Sequence, residues 1–462
     1  MLEIKIPNFC RSEIEYICYV VFSEWLDIEY KITLSEQECI LIAFAEKEFK
    51  MCADFFIKAS TDWLGRNSMP ILPLEWYNLT EVKMWLSSEL HICENEMPVL
   101  YGVPEIAVSE NTIDCSIDIL GSIFFMISRY EEVVIQERDN YNRFSAKSSI
   151  AYKAGFLFRP IVNEYVELLF SMLSYLFPTL TRKKMKFKLI PTHDVDIPFF
   201  CFNQSLVKFS RRIGSDILKR KSFTLAFEDY CTWDSVRKNG LESDPFYTFD
   251  FIMSESEKRN LQSAFYFLPS SSPEMNMKYP ITLLEMRSLL QKIDNRGHEI
   301  GIHGCYGTYL NQKVFASDVC LLNKTMESCG IKQKLRGGRQ HILQWQNPDT
   351  FRIWDTVGMD YDSTLSFADV AGFRCGTCYE YSVFDISKRK KLSLKERPLI
   401  AMECTILAPR YMNMGLTDNA LMLFKRLKDA CKYYGGNFVL LFHNNEFADE
   451  DTRRFYIDVL DC

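Results

Sequence analysis

The rhythm of apolar and polar positions changes near the middle of the chain. Up to about residue 177 it is mixed, with short strand-like and helix-like runs, many aromatics and one histidine, His91. Residues 119–130, followed by Glu131 and Glu132, predict a packed helix with a charged end. Residues 161–177 predict a second, because Val162, Tyr165, Val166, Leu169, Met172 and Leu173 recur at the helical period. Pro178 and the basic stretch 182–186 then break the pattern. A boundary there separates a smaller α+β N-terminal domain, residues 1–180, from a second domain, residues 186–462.

Beyond the boundary the pattern alternates. Strands are predicted at residues 188–195, 263–268, 298–303, 335–341, 361–367, 399–406 and 437–442. Between them lie helices at 281–294, 311–329, 347–358 and 418–434, several stopped by glycine. A polar, aromatic insertion at 202–250 fits neither pattern. Alternating strand and helix argue for a parallel sheet with helices outside, for which a closed (β/α) barrel is the natural form. The fold class expected is therefore α/β, a distorted (β/α)7-type barrel behind an α+β domain.

Polar chemistry gathers where such a fold puts it. The strand from Lys188 runs into Pro191-Thr192-His193-Asp194-Val195-Asp196, and in an extended strand Asp194 and Asp196 share one side while Val195 turns into the packing. Two carboxylates so placed bind a cation, or divide the roles of ligand and base; the plain alternative is a turn, where Asp is common. His303, His341 and His443 each fall at or just past a predicted strand end, the face where barrel enzymes keep their chemistry. Taken singly, each histidine reads as structural. Arg374 and Glu403 lie near other strand ends and would contact a sugar or an anionic group, or else form a salt bridge. Cys375-Gly376-Thr377-Cys378 has the spacing of a zinc or redox pair, but no second pair sits at zinc-ribbon distance.

Composition narrows the partners. A formal charge of -7 and a pI near 5.6 offer no basic field to a nucleic-acid backbone. Sixteen cysteines without regular spacing argue for reduced, buried thiols rather than a secreted disulfide scaffold. No signal peptide is visible, and the apolar stretch 166–177 falls short of the roughly 20 residues that span a bilayer. A cytoplasmic location is expected.

The second half resembles the polysaccharide deacetylases of the NodB-homology type, carbohydrate esterase family four, over residues 186–447. Residues 192–196 look like that family's first motif, usually Thr-Phe-Asp-Asp-Gly, whose first Asp is the catalytic base and second a metal ligand. Gly297-His298-Glu299-Ile300-Gly301-Ile302-His303 is close to the second motif, whose last His holds the metal. Leu440-Leu441-Phe442-His443 is similar to the last, whose His is the general acid, and residues 361–365 resemble a strand of peptidoglycan-directed members. The family's second metal His, four residues after the first, is replaced by Gly307, and the third motif, usually Arg-x-Pro-x-Gly, corresponds to Arg339-Gln340-His341. The Ser128–Glu132 segment is similar to one in a bacterial branch of the family with an added N-terminal half.

The resemblance implies a metal-dependent hydrolase that removes N-acetyl groups from an amino-sugar glycan or its precursor. Asp196, His303 and His341 would hold a divalent ion, zinc by preference, with His341 filling the place lost at Gly307. Asp194 would be the base, in a role exchangeable with that of Asp196, Arg339 its orienting partner and His443 the acid. Arg374 and Glu403 would contact substrate. Two rival readings are an inactive glycan-binding barrel and a metal-dependent hydrolase of another non-peptide C–N bond.

Overall fold

Buried and half-buried residues alternate along β1 (Leu2–Pro7), as the pleat of a sheet with one covered face requires. The computed structural model describes residues 1–86, 90–201, 206–270 and 279–462. β1 lies between β2 (Tyr30–Ser35) and β3 (Cys39–Phe44); β4 (Lys47–Cys52) follows β3. β5 (Glu75–Asn78) and β6 (Glu96–Val99) form a separate antiparallel pair. β7 (Gly102–Val108) and β8 (Thr112–Ile117) complete a mixed six-stranded sheet of order β2-β1-β3-β4-β8-β7. The helices Ile119–Ile127 and Ile161–Leu176, both foreseen, pack against each other here, and every residue of the first is buried.

The second sheet holds the site. Its strands are β9 (Lys188–Val195), β10 (Ala264–Phe267), β11 (Glu299–Gly304), β12 (Gly337–Gln340), β13 (Tyr361–Asp362), β14 (Tyr381–Asp385), β15 (Lys390–Glu396), β16 (Ala401–Met402) and β17 (Asn437–Leu441). They run in the order β14-β15-β13-β12-β11-β10-β9-β17-β16, and every pair but β14/β15 is parallel. β9 is therefore flanked by parallel neighbours on both sides. The carboxyl ends of all but β14 open on one face. Close backbone approach explains the glycines that precede Arg339: a Cβ on Gly338 would stand 1.8 Å from the Ile302 carbonyl oxygen.

The strand order does not confirm the closed barrel expected: among the described residues no pairing joins β14 to β16. β16 is two residues long, because the chain leaves it into the helix Glu403–Leu407, and β14 folds back antiparallel on β15. The strands foreseen at 361–367 and 399–406 shrink accordingly, since a buried apolar run alone does not tell a strand from a helix. The insertion contains the helices Leu206–Leu218 and Phe223–Asn239 and runs into the helix Phe249–Glu257; its residues 202–205 lie outside the described residues. A continuous cluster of buried apolar side chains reaches from Leu2 to Leu460 and through both sheets. Tyr16 donates to the Ser382 carbonyl at 2.8 Å and the Trp25 indole to that of Glu380 at 3.1 Å. No helix among the described residues is long and apolar enough to cross a membrane.

Candidate metal centre and catalytic cleft

Alternation along β9 sorts its polar residues. His193 faces away from the cleft, stacked on Phe265 with centroids 5.1 Å apart and bordered by Phe447 and Tyr456. Its Nδ1–H donates to the Phe442 carbonyl at 2.7 Å, and burial pushes its pKa down to about 3. It is a core residue. Asp194 and Asp196 take the other side, and Val195 is fully buried.

Asp196 meets two imidazoles. Its Oδ1 is 3.3 Å from His303 Nε2 and 3.7 Å from His341 Nε2, and one donor atom from each of the three residues lies within 4.8 Å of the others. A tetrahedral ion with ligands at about 2.1 Å would separate them by about 3.4 Å. Both imidazole nitrogens of His341 and the Oδ1 of Asp196 are buried without a hydrogen-bond partner, the unmet valence expected of a ligand set. His303 Nδ1–H donates to the Arg339 carbonyl at 2.9 Å, which leaves Nε2 to face the site. Burial alone would raise the Asp196 carboxyl, but the facing His341 and His303 hold it well below the usual carboxylate range. The residues thus fit a divalent cation, its donors one oxygen and two nitrogens.

Asp194 is held from behind. Arg339, fully buried at the end of β12, donates from Nη1 to its Oδ1 at 2.8 Å, and also to Thr192 Oγ1, the Ser363 carbonyl and Ser363 Oγ. The register of β11 against β12 sets His303 beside Arg339, so one pairing positions both His303 and the guanidinium that binds Asp194. Asp194 Oδ2 lies 3.7 Å from His303 Nε2.

His443 follows β17 and reaches the centre from the opposite side, its Nε2 3.7 Å from Asp196 Oδ2. Its Nδ1–H donates to Glu403 Oε1, which also accepts the His443 backbone N–H at 3.3 Å. Burial would lower the imidazole pKa, but Glu403, then Asp196 and Asp194, raise it well above its ordinary value. Glu403 is itself buried. Its Oε1 holds His443, while its Oε2 is buried without a hydrogen-bond partner.

The expected role of Arg374 is corrected. Its guanidinium is buried and makes two bonds to Glu132, at 2.9 and 2.6 Å, and one to the Ser366 carbonyl at 2.7 Å. The salt-bridge reading wins, with a partner 242 residues away in the first half. Gly307 occupies left-handed backbone (φ +80°) with open space where a side chain would stand. Cys375 and Cys378 are buried free thiols on a loop, and burial pushes Cys375 up to about 12, far from a reactive thiolate.

Asp194, Asp196 and His443 open into a cleft of about 100 Å³, also lined by Tyr141, Arg143, Ile342, Met402, Cys404, Arg410 and Tyr411. Tyr141 and Arg143 come from the first half and carry no motif. Sequence reasoning missed them.

Residues 2–178 match a family described as "Family of unknown function (DUF7033)". No curated protein matches the chain. Among solved structures, the chain is similar to a putative polysaccharide deacetylase from Mycobacterium smegmatis, at 15% identity and a TM-score of 0.37, over 60% of this chain and 84% of that one. It is also similar to Puue allantoinase, at 11% identity and a TM-score of 0.32, over 59% of this chain and 82% of that one.

Proposed function

We propose that the chain is a metal-dependent hydrolase that removes N-acetyl groups from an amino-sugar-containing glycan or glycan precursor. The observation that carries the hydrolytic reading is the convergence, on one cleft, of a ligand-like triad with unmet donor atoms and two separately braced groups of opposite proton character. Asp196, His303 and His341 would hold a divalent cation, with zinc the best match to one carboxylate and two imidazoles. Such an ion, when bound, supplies Lewis acidity and makes a water nucleophilic near neutral pH.

The chain's own residues divide the remaining work. Asp194, anchored by Arg339 and turned to the cleft, accepts the proton of the attacking water. Asp196, with an unpartnered oxygen between two imidazoles, serves as ligand, an arrangement that favours Asp194 as the base of the exchangeable pair. His443 keeps its proton through Glu403 and donates it to the leaving nitrogen, so that the amine departs and acetate remains. The choice of an N-acetyl sugar rests on the resemblance of residues 192–196, 297–303 and 440–443. The unmet nitrogens of His341 speak against an inactive binding barrel.

Acetate release by the zinc-loaded chain tests this, with N-acetylglucosamine oligomers and lipid-linked N-acetyl sugars as substrates and a cyclic amide as comparison. The proposal expects acetate from a sugar, abolished by a chelator. Ring opening of the amide without acetate release would transfer the chemistry to another C–N bond, and zinc binding with neither reaction would favour the glycan-binding reading.

A further inference from the structure

His341 differs from the other two imidazoles at the site. His303 is oriented by the Arg339 carbonyl and His443 by Glu403, whereas neither ring nitrogen of His341 has a hydrogen-bond partner. A ligating histidine is usually oriented through its second nitrogen. Here the aim of the ring depends on the backbone that carries it. That backbone is strained: Ile342 (φ 52°, ψ 23°) and Leu343 (φ 58°) are consecutive left-handed residues, and one of them is β-branched. Such a conformation lasts only where its surroundings impose it.

The surroundings come from the first half of the chain. Arg143 Nη1 donates to the Ile342 carbonyl at 3.0 Å, and Gln344 Nε2 donates to the Tyr141 carbonyl at 3.1 Å. Arg143 is itself fixed by Asp139, whose Oδ2 accepts from Nε at 2.8 Å and whose Oδ1 accepts the backbone N–H of Tyr141 and Arg143, each at 2.9 Å. The same segment is pinned to the second half through Asn142 to Tyr309 at 2.7 Å, and through Ser145 and the Ala146 N–H to Asp369 at 2.5 and 3.0 Å.

We propose that Arg143, with the Tyr141 carbonyl, is a positioning element for the metal centre: it holds the left-handed turn at Ile342 and Leu343 that aims His341 at Asp196 and His303. The first half is then part of the catalytic apparatus, and it makes up for the ligand position lost at Gly307. This rests on the metal-site reading above.

Zinc affinity of the full chain, measured by competition with a chromophoric chelator, tests it. Arg143→Gln should bind zinc about tenfold or more weakly than the unaltered chain, the scale of losing a group that orients a ligand. Adding Ile342→Gly should restore most of that loss, because glycine takes the left-handed conformation without a brace. Cooperative thermal unfolding of each metal-free variant shows that it folds. Unchanged zinc affinity in Arg143→Gln overturns the proposal, as does a loss that Ile342→Gly does not repair. A raised KM at unchanged zinc affinity would make Arg143 a substrate contact instead. If the unaltered chain takes up no zinc, or His341→Ala binds it equally well, the metal-site reading itself fails and this inference falls with it.

Discussion

Glu403 and His443 share a hydrogen bond across 40 residues of sequence, the carboxylate accepting from the imidazole Nδ1–H at the mouth of the cleft. Burial would strip the proton from His443, and Glu403 more than reverses this, so the imidazole stays charged well above its ordinary value of about 6.5. A general acid works only while protonated. Activity should therefore persist below the raised value and fall as pH rises through it. In Glu403→Gln the alkaline limb of the kcat profile should move to lower pH, with kcat reduced about 10²-fold at neutral pH. An unmoved limb would remove His443 from the role of acid.

Arg339 donates to Asp194, Thr192 and Ser363 from a fully buried position. Arg339→Met leaves a buried carboxylate without its cation and should cost about 3 kcal/mol or more in urea unfolding, with kcat falling at least 10²-fold. Arg339→Lys should recover little of either, because an ammonium cannot reproduce the planar fork that serves four acceptor atoms. Full recovery by lysine would reduce the interaction to simple charge.

Arg374→Met tests the correction of that residue's role. Breaking its buried pair with Glu132 should cost about 1.5–3 kcal/mol in stability, because Glu132 keeps the buried Arg129 at 2.8 Å. Once the variant is folded, KM for the substrate should stay within about twofold. A large KM change at unaltered stability would return Arg374 to the binding site.

His193 ties stability to acidity. Its folded pKa is depressed by burial to about 3, against about 6.5 for an unfolded chain. Below pH 6.5 the unfolded state takes up a proton that the folded state refuses, so stability is lost as pH falls towards 3. The slope is about 1.4 kcal/mol per pH unit. His193→Gln removes this titration while keeping an N–H donor for the Phe442 carbonyl. Its stability between pH 6 and pH 4, roughly the steep part of that range, should fall less steeply. An identical slope would show that other groups set the acid limit.

What could be read from the sequence followed the range of the interactions. Asp194, Asp196, His303, His341 and His443 were legible because strand periodicity and strand ends are local patterns, and the parallel run β12-β11-β10-β9-β17 then brings them together. Glu403 and Arg374 were legible as polar residues at strand ends, but their partners were not, since these lie 40 and 242 residues away. Arg143 carried no motif. The turn it braces has neither glycine nor asparagine at Ile342 and Leu343 to announce left-handed backbone, so the need for a brace was invisible. The hairpin of β14 and β15 was hidden by the charged run around Lys388 and Arg389, which masks the alternation of a strand.

The most direct test of the central claim is X-ray absorption at the zinc edge of the loaded chain. The account predicts a first shell of nitrogen and oxygen only, at about 2.0–2.2 Å, with two imidazoles in the unaltered chain and one in His341→Ala. Sulfur in that shell, or an imidazole count untouched by His341→Ala, would contradict it.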